Sequence, residues 1–336
     1  MNDRAILETP LELLLDVNAM RHMLRDALQG EEAVDPLRIR AADPIVWKPG
    51  SRALVAYKIK GLGPSGAGCL YGKHYARSAR AQRVYKTWRM LEQVDFGPSR
   101  GVPRLLGWCP QISLVVYHRA DGRPLDRLST SDVLAGIRAA GMWLAALHDS
   151  GLVVDRQLDW DKELMNIGLW ADRVASARPR HADAVRRLAA GLFRAGCELR
   201  TSNDVPIHKD FHYRHVITGE RTVTLDFDEV RMGPRSFDVA HFCTYLRLLE
   251  LRGRAPAPTG ALQRSFVDAY TGARGWTTQP DLRIFSAYTC LKIAKQLSGG
   301  TGVAPRPHGA RLEHELEAML AHGLALIDPI RNGGWS

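Results

Sequence analysis

Two short stretches of the 336-residue chain hold the side chains whose types and spacing could do chemistry. One is Ile207-His208-Lys209-Asp210-Phe211-His212-Tyr213-Arg214-His215-Val216, and the other, shortly after it, is Thr224-Leu225-Asp226-Phe227-Asp228. A carboxylate on a loop, followed by a second acid at the end of a short strand, is what phosphoryl transfer needs. Asp210 would accept or orient the proton of an attacking hydroxyl. Asp226 would hold Mg²⁺ against the phosphates of a nucleotide, with Asp228 as a further metal ligand or an anchor of the loop. A lysine from a separate sheet must reach the α- and β-phosphates, and Lys73 sits in a short apolar strand suited to that task. Positioning and charge stabilisation supply most of the rate in such a reaction.

The elements that must position these groups follow from the hydrophobic pattern. Leu11, Leu14, Val17, Met20, Leu24 and Leu28 recur at near-helical spacing and predict one or two short helices over Pro10–Leu28. Ile39–Trp47 and Ala53–Ile59 are expected to be strands joined by the turn Lys48-Pro49-Gly50-Ser51, followed by a Gly-rich loop at Gly61–Gly68. Cys69–Tyr75 is a third strand and carries Lys73; Ala79–Val94 is a helix; Pro103–Trp108 and Ile112–Val116 complete a small antiparallel sheet. Beyond the turn signal at Asp121-Gly122-Arg123-Pro124 the pattern becomes helical. Helices are expected at Ser131–His148, Ala182–Thr201, Ser236–Leu251, Ala261–Thr271, Asp281–Leu297 and Glu313–Ile327, interrupted by the His- and Asp-rich stretch Val205–Asp228. The implied organisation is an N-terminal helical extension (1–36), a nucleotide-binding β lobe with one helix (37–120) and a helical lobe with the catalytic loop and acceptor site (121–336). Its fold class is α+β.

Composition narrows the function classes. Hydrophobic residues make up 45% and charged residues 24%, as in ordinary globular proteins. The longest apolar stretch, Val133–Leu147, is broken by Arg138, and acids at Asp3, Glu8, Glu12 and Asp16 interrupt the N-terminus, so neither a membrane span nor an export signal is expected. Five scattered cysteines without a C-x-x-C pair suit reduced thiols, and the expected location is the cytoplasm. The net charge of +10 is uneven. Residues 1–120 hold 18 Lys and Arg against 11 Asp and Glu, the remainder 28 against 25, and Lys73–Arg89 contains no acid. Such a basic face suits polyphosphate as well as RNA. No nucleic-acid-binding motif accompanies it, so nucleic acid is not expected as a partner.

The motifs resemble those of the aminoglycoside phosphotransferase/choline kinase-like small-molecule kinases. That family's catalytic loop is H-G-D-x-H-x-x-N, and HKDFHYRH matches it at His208, Asp210 and His212. Its metal motif, I-D-[WF]-[DE], appears as Leu225-Asp226-Phe227-Asp228; its G-x-x-x-x-D-x-A appears at Gly233, Asp238 and Ala240; its L-x-x-L-H ends at His148. The stretch WKPGSRALVAYKI looks like the β-turn-β phosphate loop of a branch of bacterial phosphotransferases, and the resemblance covers roughly residues 37–300.

This resemblance implies a two-lobed protein-kinase-like fold and transfer of the γ-phosphate of ATP or GTP to a hydroxyl of a small molecule. It implies phosphate contacts from Lys73, Ser51 and Arg52, and base contacts from the hinge at Tyr117 and Arg119. His208, Asp238 and His148 become structural residues, and Trp160, Asp161, His241 and Tyr245 fall near the acceptor by position alone. Two departures stand out. His215 occupies the place of the family's metal-binding Asn, and three roles are open to it: a hydrogen bond to a phosphate oxygen, coordination of a more nitrogen-tolerant metal such as Mn²⁺ in place of Mg²⁺, or neither. Gln82 occupies the place of the acid that pairs with the lysine, with Glu92 as the other possibility on that helix. The second lobe is slightly basic, which points to a neutral or anionic acceptor such as a sugar or glycosylated metabolite. A monomer or homodimer is expected. The alternative is a nucleotide-binding pseudokinase with a regulatory role.

Overall fold

A computed structural model of the chain describes residues 11–28, 38–60, 67–199, 201–272, 281–299 and 308–327. Residues 61–66 of the expected Gly-rich loop and much of the expected N-terminal extension lie outside them, while Ala67 and Gly68, expected in that loop, belong to a strand paired with Lys60 and Ile59. The chain divides into two compact units, residues 1–122 with 223–228, and residues 123–222 with 229–336. The strand end that carries Asp226 and Asp228 therefore belongs with the first unit, although the sequence places it in the helical lobe.

The first unit runs α1 (Leu11–Leu15), α2 (Val17–Ala27), β1 (Ile39–Lys48), β2 (Arg52–Lys60), β3 (Ala67–Tyr75), α3 (Ser78–Leu91), β4 (Arg100–Gly101), β5 (Leu105–Cys109) and β6 (Leu114–His118). Five of these strands form an antiparallel sheet in the order β1-β2-β3-β6-β5. Gly50 at φ +65° makes the β1–β2 turn, closed by Ser51 N donating to Lys48 O at 3.0 Å. Period-two alternation gives the sheet two distinct faces. On one, Val55, Tyr57, Leu70, Leu114 and Val116 share a core with Leu14, Met20, Leu24 and Leu28, and Tyr57 Oη donates to Leu14 O at 3.0 Å. The described N-terminal helices are thus part of this unit's core. A Cβ at Gly72 would stand 2.6 Å from the Tyr57 ring, which is why the strand has a glycine there. Tyr71, Lys73 and Tyr75 alternate onto the other face. Lys73 lies opposite Leu54 of β2 and Val115 of β6, so its strand is central and its backbone is held on both sides. The α3 residue Trp88 packs 4.5 Å from the Tyr117 ring and donates from Nε1 to Pro103 O at 2.9 Å.

The second unit contains β7 (Arg123–Pro124), α4 (Thr130–Asp149), α5 (Trp160–Ala177), α6 (Ala182–Cys197), β8 (Val205–Ile207), β9 (Val216–Thr218), the start of β10 (Thr222–Thr224), β11 (Arg231–Gly233), α7 (Arg235–Leu251), α8 (Thr259–Thr271), α9 (Asp281–Leu297) and α10 (Gly309–Ile327). Helices α7 and α9 are buried almost all round, as their lack of a polar face demands. Gly141 of α4 lets α8 close in: a Cβ there would lie 2.5 Å from Phe266 O. Helix α5 is absent from the sequence-based expectation. Its stripe of Trp160, Leu164, Ile167, Ala171 and Val174 has helical spacing, and Asp159 caps it by accepting from Lys162 N at 3.0 Å. The segment 208–215 is fixed at both ends, by β8 paired with β11 and by β9 paired with β7.

Candidate active site

The first unit gathers four donors on one carboxylate. Asp228 Oδ1 accepts from Lys73 Nζ at 2.6 Å and from Tyr75 Oη at 2.6 Å; Oδ2 accepts from Arg80 Nη2 at 3.1 Å and Arg52 Nη1 at 3.4 Å. Lys73 Nζ also donates to Asp226 Oδ1 at 2.8 Å. Burial opposes the lysine's charge, but the two carboxylates outweigh it and hold its pKa above the usual lysine value. Burial and the Asp228 charge push the Tyr75 phenol up, so it stays a donor. The Asp226 side chain is 24% exposed and that of Asp228 only 3%, so Asp226 keeps the more open carboxylate. Asp226 adopts φ +67°, a left-handed conformation that Asp tolerates better than most residues.

Neither α3 candidate pairs with Lys73. Gln82 is exposed, one position off the buried stripe Ala81, Val84, Trp88 and Leu91. Glu92 Oε1 accepts instead from Leu105 N at 2.7 Å. The residue α3 directs to this cluster is Arg80, concealed in the sequence within a basic run. Ser51 is exposed, and its carbonyl accepts from Ala76 N at 2.9 Å. Arg52 is half-buried on Asp228. The Tyr117 ring is buried between Tyr71 and Trp88, and the exposed Arg119 gives its amide to Cys69 O at 3.2 Å.

In the second unit the backbone of the Asp210 loop is pinned before the carboxylate is reached. Buried Asp238 accepts from His208 N at 2.6 Å and Lys209 N at 2.8 Å, and His148 Nε2 lies 3.3 Å from it. Phe211 stacks on Trp143 of α4 at 5.5 Å. Lys209 stands at φ +65° where the family motif has Gly, and its Nζ is 2.5 Å from Oε1 of buried Glu163, which also accepts from Tyr288 Oη. The Asp210 carboxylate meets Lys292 Nζ at 2.8 Å. His241 Nε2 is 3.4 Å from the same oxygen, too poorly aligned for a hydrogen bond. Burial alone would raise the Asp210 pKa; the Lys292 ammonium beside it outweighs burial and holds it well below the usual carboxylate range.

His215 is brought to Asp210: its Nδ1 donates to the Asp210 carbonyl at 2.9 Å, which leaves the lone pair of the neutral ring on Nε2. Asp210, His212 and His215 offer donor atoms within 4.8 Å of one another. However, His212 Nδ1 accepts from Arg214 N at 3.2 Å, and its ring stacks on His215 at 3.9 Å and on Tyr245 at 4.6 Å. Burial keeps His212 neutral by pushing its pKa well below the ordinary value. Three residues here escaped the sequence analysis: Lys292, Glu163 and Arg80. The signal for Lys292 is a lysine set between the apolar pairs Cys290-Leu291 and Ile293-Ala294, and for Glu163 the α5 stripe.

No curated protein matches the chain. Among solved structures, a spectinomycin phosphotransferase in complex with ADP and spectinomycin is similar at TM-score 0.61 and 12% identity, over 92% of this chain and 98% of that one. An amicoumacin kinase in complex with AMP-PNP and Ca²⁺ is similar at TM-score 0.59 and 16% identity, over 95% and 93%. Choline kinase from Streptococcus pneumoniae is similar at TM-score 0.58 and 12% identity, over 90% and 99%. At such identities the likeness is one of fold: an antiparallel-sheet unit and a helical unit, as in these kinases. The profile described as the phosphotransferase enzyme family matches residues 77–277, well over half the chain, from α3 through the Asp210 loop and Asp226–Asp228 to α8. The chain belongs to the phosphotransferase enzyme family.

Proposed function

We propose that this protein is a small-molecule kinase that transfers the γ-phosphate of ATP, or of GTP, to a hydroxyl of a small molecule such as a sugar, glycosylated metabolite, amino alcohol or antibiotic. The observation that carries this is the Asp210 loop: its backbone is pinned by Asp238, and its carboxylate is kept ionised by Lys292. An ionised carboxylate on a rigid loop can orient a hydroxyl and take its proton. Lys73 supplies a cation for the nucleotide phosphates, supported by Arg52 and Arg80. Family membership supports the same reaction class. Among the described residues no helix is long and apolar enough to cross a membrane.

The family's chemistry calls for a divalent cation, Mg²⁺ or Mn²⁺, and the donor set fits one at Asp226. Its carboxylate is oxygen-donating and partly open, whereas both oxygens of Asp228 already hold donors. When bound, such an ion would neutralise and orient the nucleotide's phosphates. Asp226→Ala should therefore abolish the metal dependence of nucleotide affinity, read by titration calorimetry with and without Mg²⁺. Equal affinities in wild type and variant would exclude Asp226 from that role.

A screen of hydroxyl compounds with γ-labelled ATP and GTP tests the activity itself. The pseudokinase alternative draws on the exposure of Gln82 and on Lys73 being paired with Asp228. Nucleotide binding without transfer to any acceptor and without slow hydrolysis would favour it.

A further inference from the structure

Holding Asp210 ionised uses only one of the N–H groups of Lys292. The lysine projects from the middle of α9, among buried Tyr288, Leu291 and Ile293, with its side chain only 16% exposed. An ammonium offers three donors. Among the described residues, Lys292 has one partner, Asp210 Oδ1 at 2.8 Å. Two N–H groups are left where little water reaches them, a costly arrangement unless a ligand supplies acceptors.

Three carboxylates around the loop are already claimed: Glu163 by Lys209 at 2.5 Å, Asp238 by the loop backbone and His148, and Glu315 by Arg252 at 2.9 Å. Asp126 lies 3.6 Å from Arg214, and its Oδ1 is buried without a hydrogen-bond partner among the described residues. Asp210 itself faces Lys292 and the rings of His212, His215 and His241. Beside Asp210, an anionic acceptor would find an under-used ammonium.

We infer that the acceptor is an anion: a hydroxyl compound bearing a carboxylate or phosphate, whose charge Lys292 receives while Asp210 receives the hydroxyl. The inference rests on the kinase reading above. In the transfer, the hydroxyl oxygen bonds to the γ-phosphorus as the bond from that phosphorus to the β–γ bridging oxygen breaks. The electron pair leaves with the nucleoside diphosphate, and the hydroxyl proton goes to the Asp210 carboxylate.

The test uses acceptors matched in scaffold and differing in charge: glucuronate, glucuronamide and glucosamine; lactate, lactamide and 1-amino-2-propanol; and a wider panel of sugar acids, sugar phosphates, neutral glycosides, choline and aminoglycosides. Turnover is measured with the wild type, Lys292→Gln and Lys292→Arg. The expected result is turnover concentrated in the anions. Lys292→Gln should lower kcat for acceptors of every charge, because Asp210 loses the cation that holds it ionised. It should in addition raise the KM of the anions about tenfold or more relative to their neutral analogues, a loss of roughly 1.4 kcal/mol of binding, with Lys292→Arg recovering most of the KM effect. Turnover confined to cations or neutral compounds overturns the inference and leaves the kinase reading standing. A fall in kcat with the KM ratio of anions to neutral analogues unchanged also overturns it, and would leave Lys292 with the single task of holding Asp210 ionised. Absence of turnover with every acceptor and both nucleotides removes the kinase reading and this inference together.

Discussion

Lys73 Nζ donates to Asp228 Oδ1 at 2.6 Å, and both side chains are nearly closed to solvent. The lysine is thereby anchored by the segment 223–228, with α3 contributing Arg80 to the same carboxylate. β2, β3 and α3 each send a cation to Asp228, and a buried carboxylate with so many donors is costly to leave incomplete. The arrangement also fixes the division of labour between the two neighbouring acids: Asp228 organises the cations, and Asp226 keeps the more exposed oxygens.

Asp228→Asn should accordingly destabilise the protein by about 3–5 kcal/mol, because Lys73 is left in a buried site with half its compensation gone. Urea unfolding followed by circular dichroism reads this directly. A loss below about 1 kcal/mol would mean that the cluster contributes little to the fold.

Asp210→Asn should lower turnover by about 10²–10⁴-fold, the usual cost of losing a positioned base. Nucleotide affinity should stay near the wild-type value, since the proposed contact of Asp210 is with the acceptor. Single-turnover kinetics alongside nucleotide titration separates the two effects. Near-normal turnover in a verified Asn variant would remove Asp210 from its proposed role.

Lys209→Gly should relax a left-handed backbone position, worth roughly 1 kcal/mol, yet strand Glu163 as an unpaired buried charge, costing about 3–5 kcal/mol. The net expectation is destabilisation of about 2–4 kcal/mol. Adding Glu163→Gln should recover most of it, because the orphaned charge disappears. An unaltered double-mutant deficit would show that the Lys209–Glu163 pair is not what holds this loop.

Stability should fall as pH drops from about 6.5 to about 4. Burial pushes His241 down to about 4 and also lowers His212 and His148, so all three stay neutral in the folded protein. Their unfolded counterparts protonate near pH 6.5, so over this window the unfolded chain binds more protons, at about 1.4 kcal/mol per pH unit for each such histidine. At lower pH the depressed carboxyls of Asp210 and Asp238 add to the loss. Their stabilisation is present above the unfolded carboxyl pKa and vanishes as pH falls through the folded values. Urea midpoints at pH 7 and pH 5 should differ, and His241→Gln should narrow the difference; a flat wild-type profile would refute the assignment.

The chemistry-bearing segments were legible because they are local. The spacing within 208–215 and 225–228 places each acid on its loop without reference to anything distant, and the family profile spans that same region. The strands of the sheet were legible for a similar reason: alternation along Arg52–Lys60 encodes which side chains face the core. Likewise Asp281–Leu297, with helical spacing of bulky residues, is the helix the pattern predicts.

What the sequence left open are pairings set by packing. Whether Lys73 meets Gln82, Glu92 or Asp228 depends on how α3 is rotated about its axis, and its buried stripe turns Gln82 outward while Arg80 reaches Asp228, 148 positions along the chain. Glu163 and Lys292 lie on helices distant in sequence from the residues they touch, Lys209 and Asp210. No periodicity within α5 or α9 specifies those partners. The sequence by itself determined where the candidate carboxylates Asp210, Asp226 and Asp228 fall and the alternation of sheet and helix, since these follow from short-range residue order. Only the tertiary structure decided which buried charge neutralises which, because a desolvated ion takes whatever partner the packed core brings within hydrogen-bonding distance.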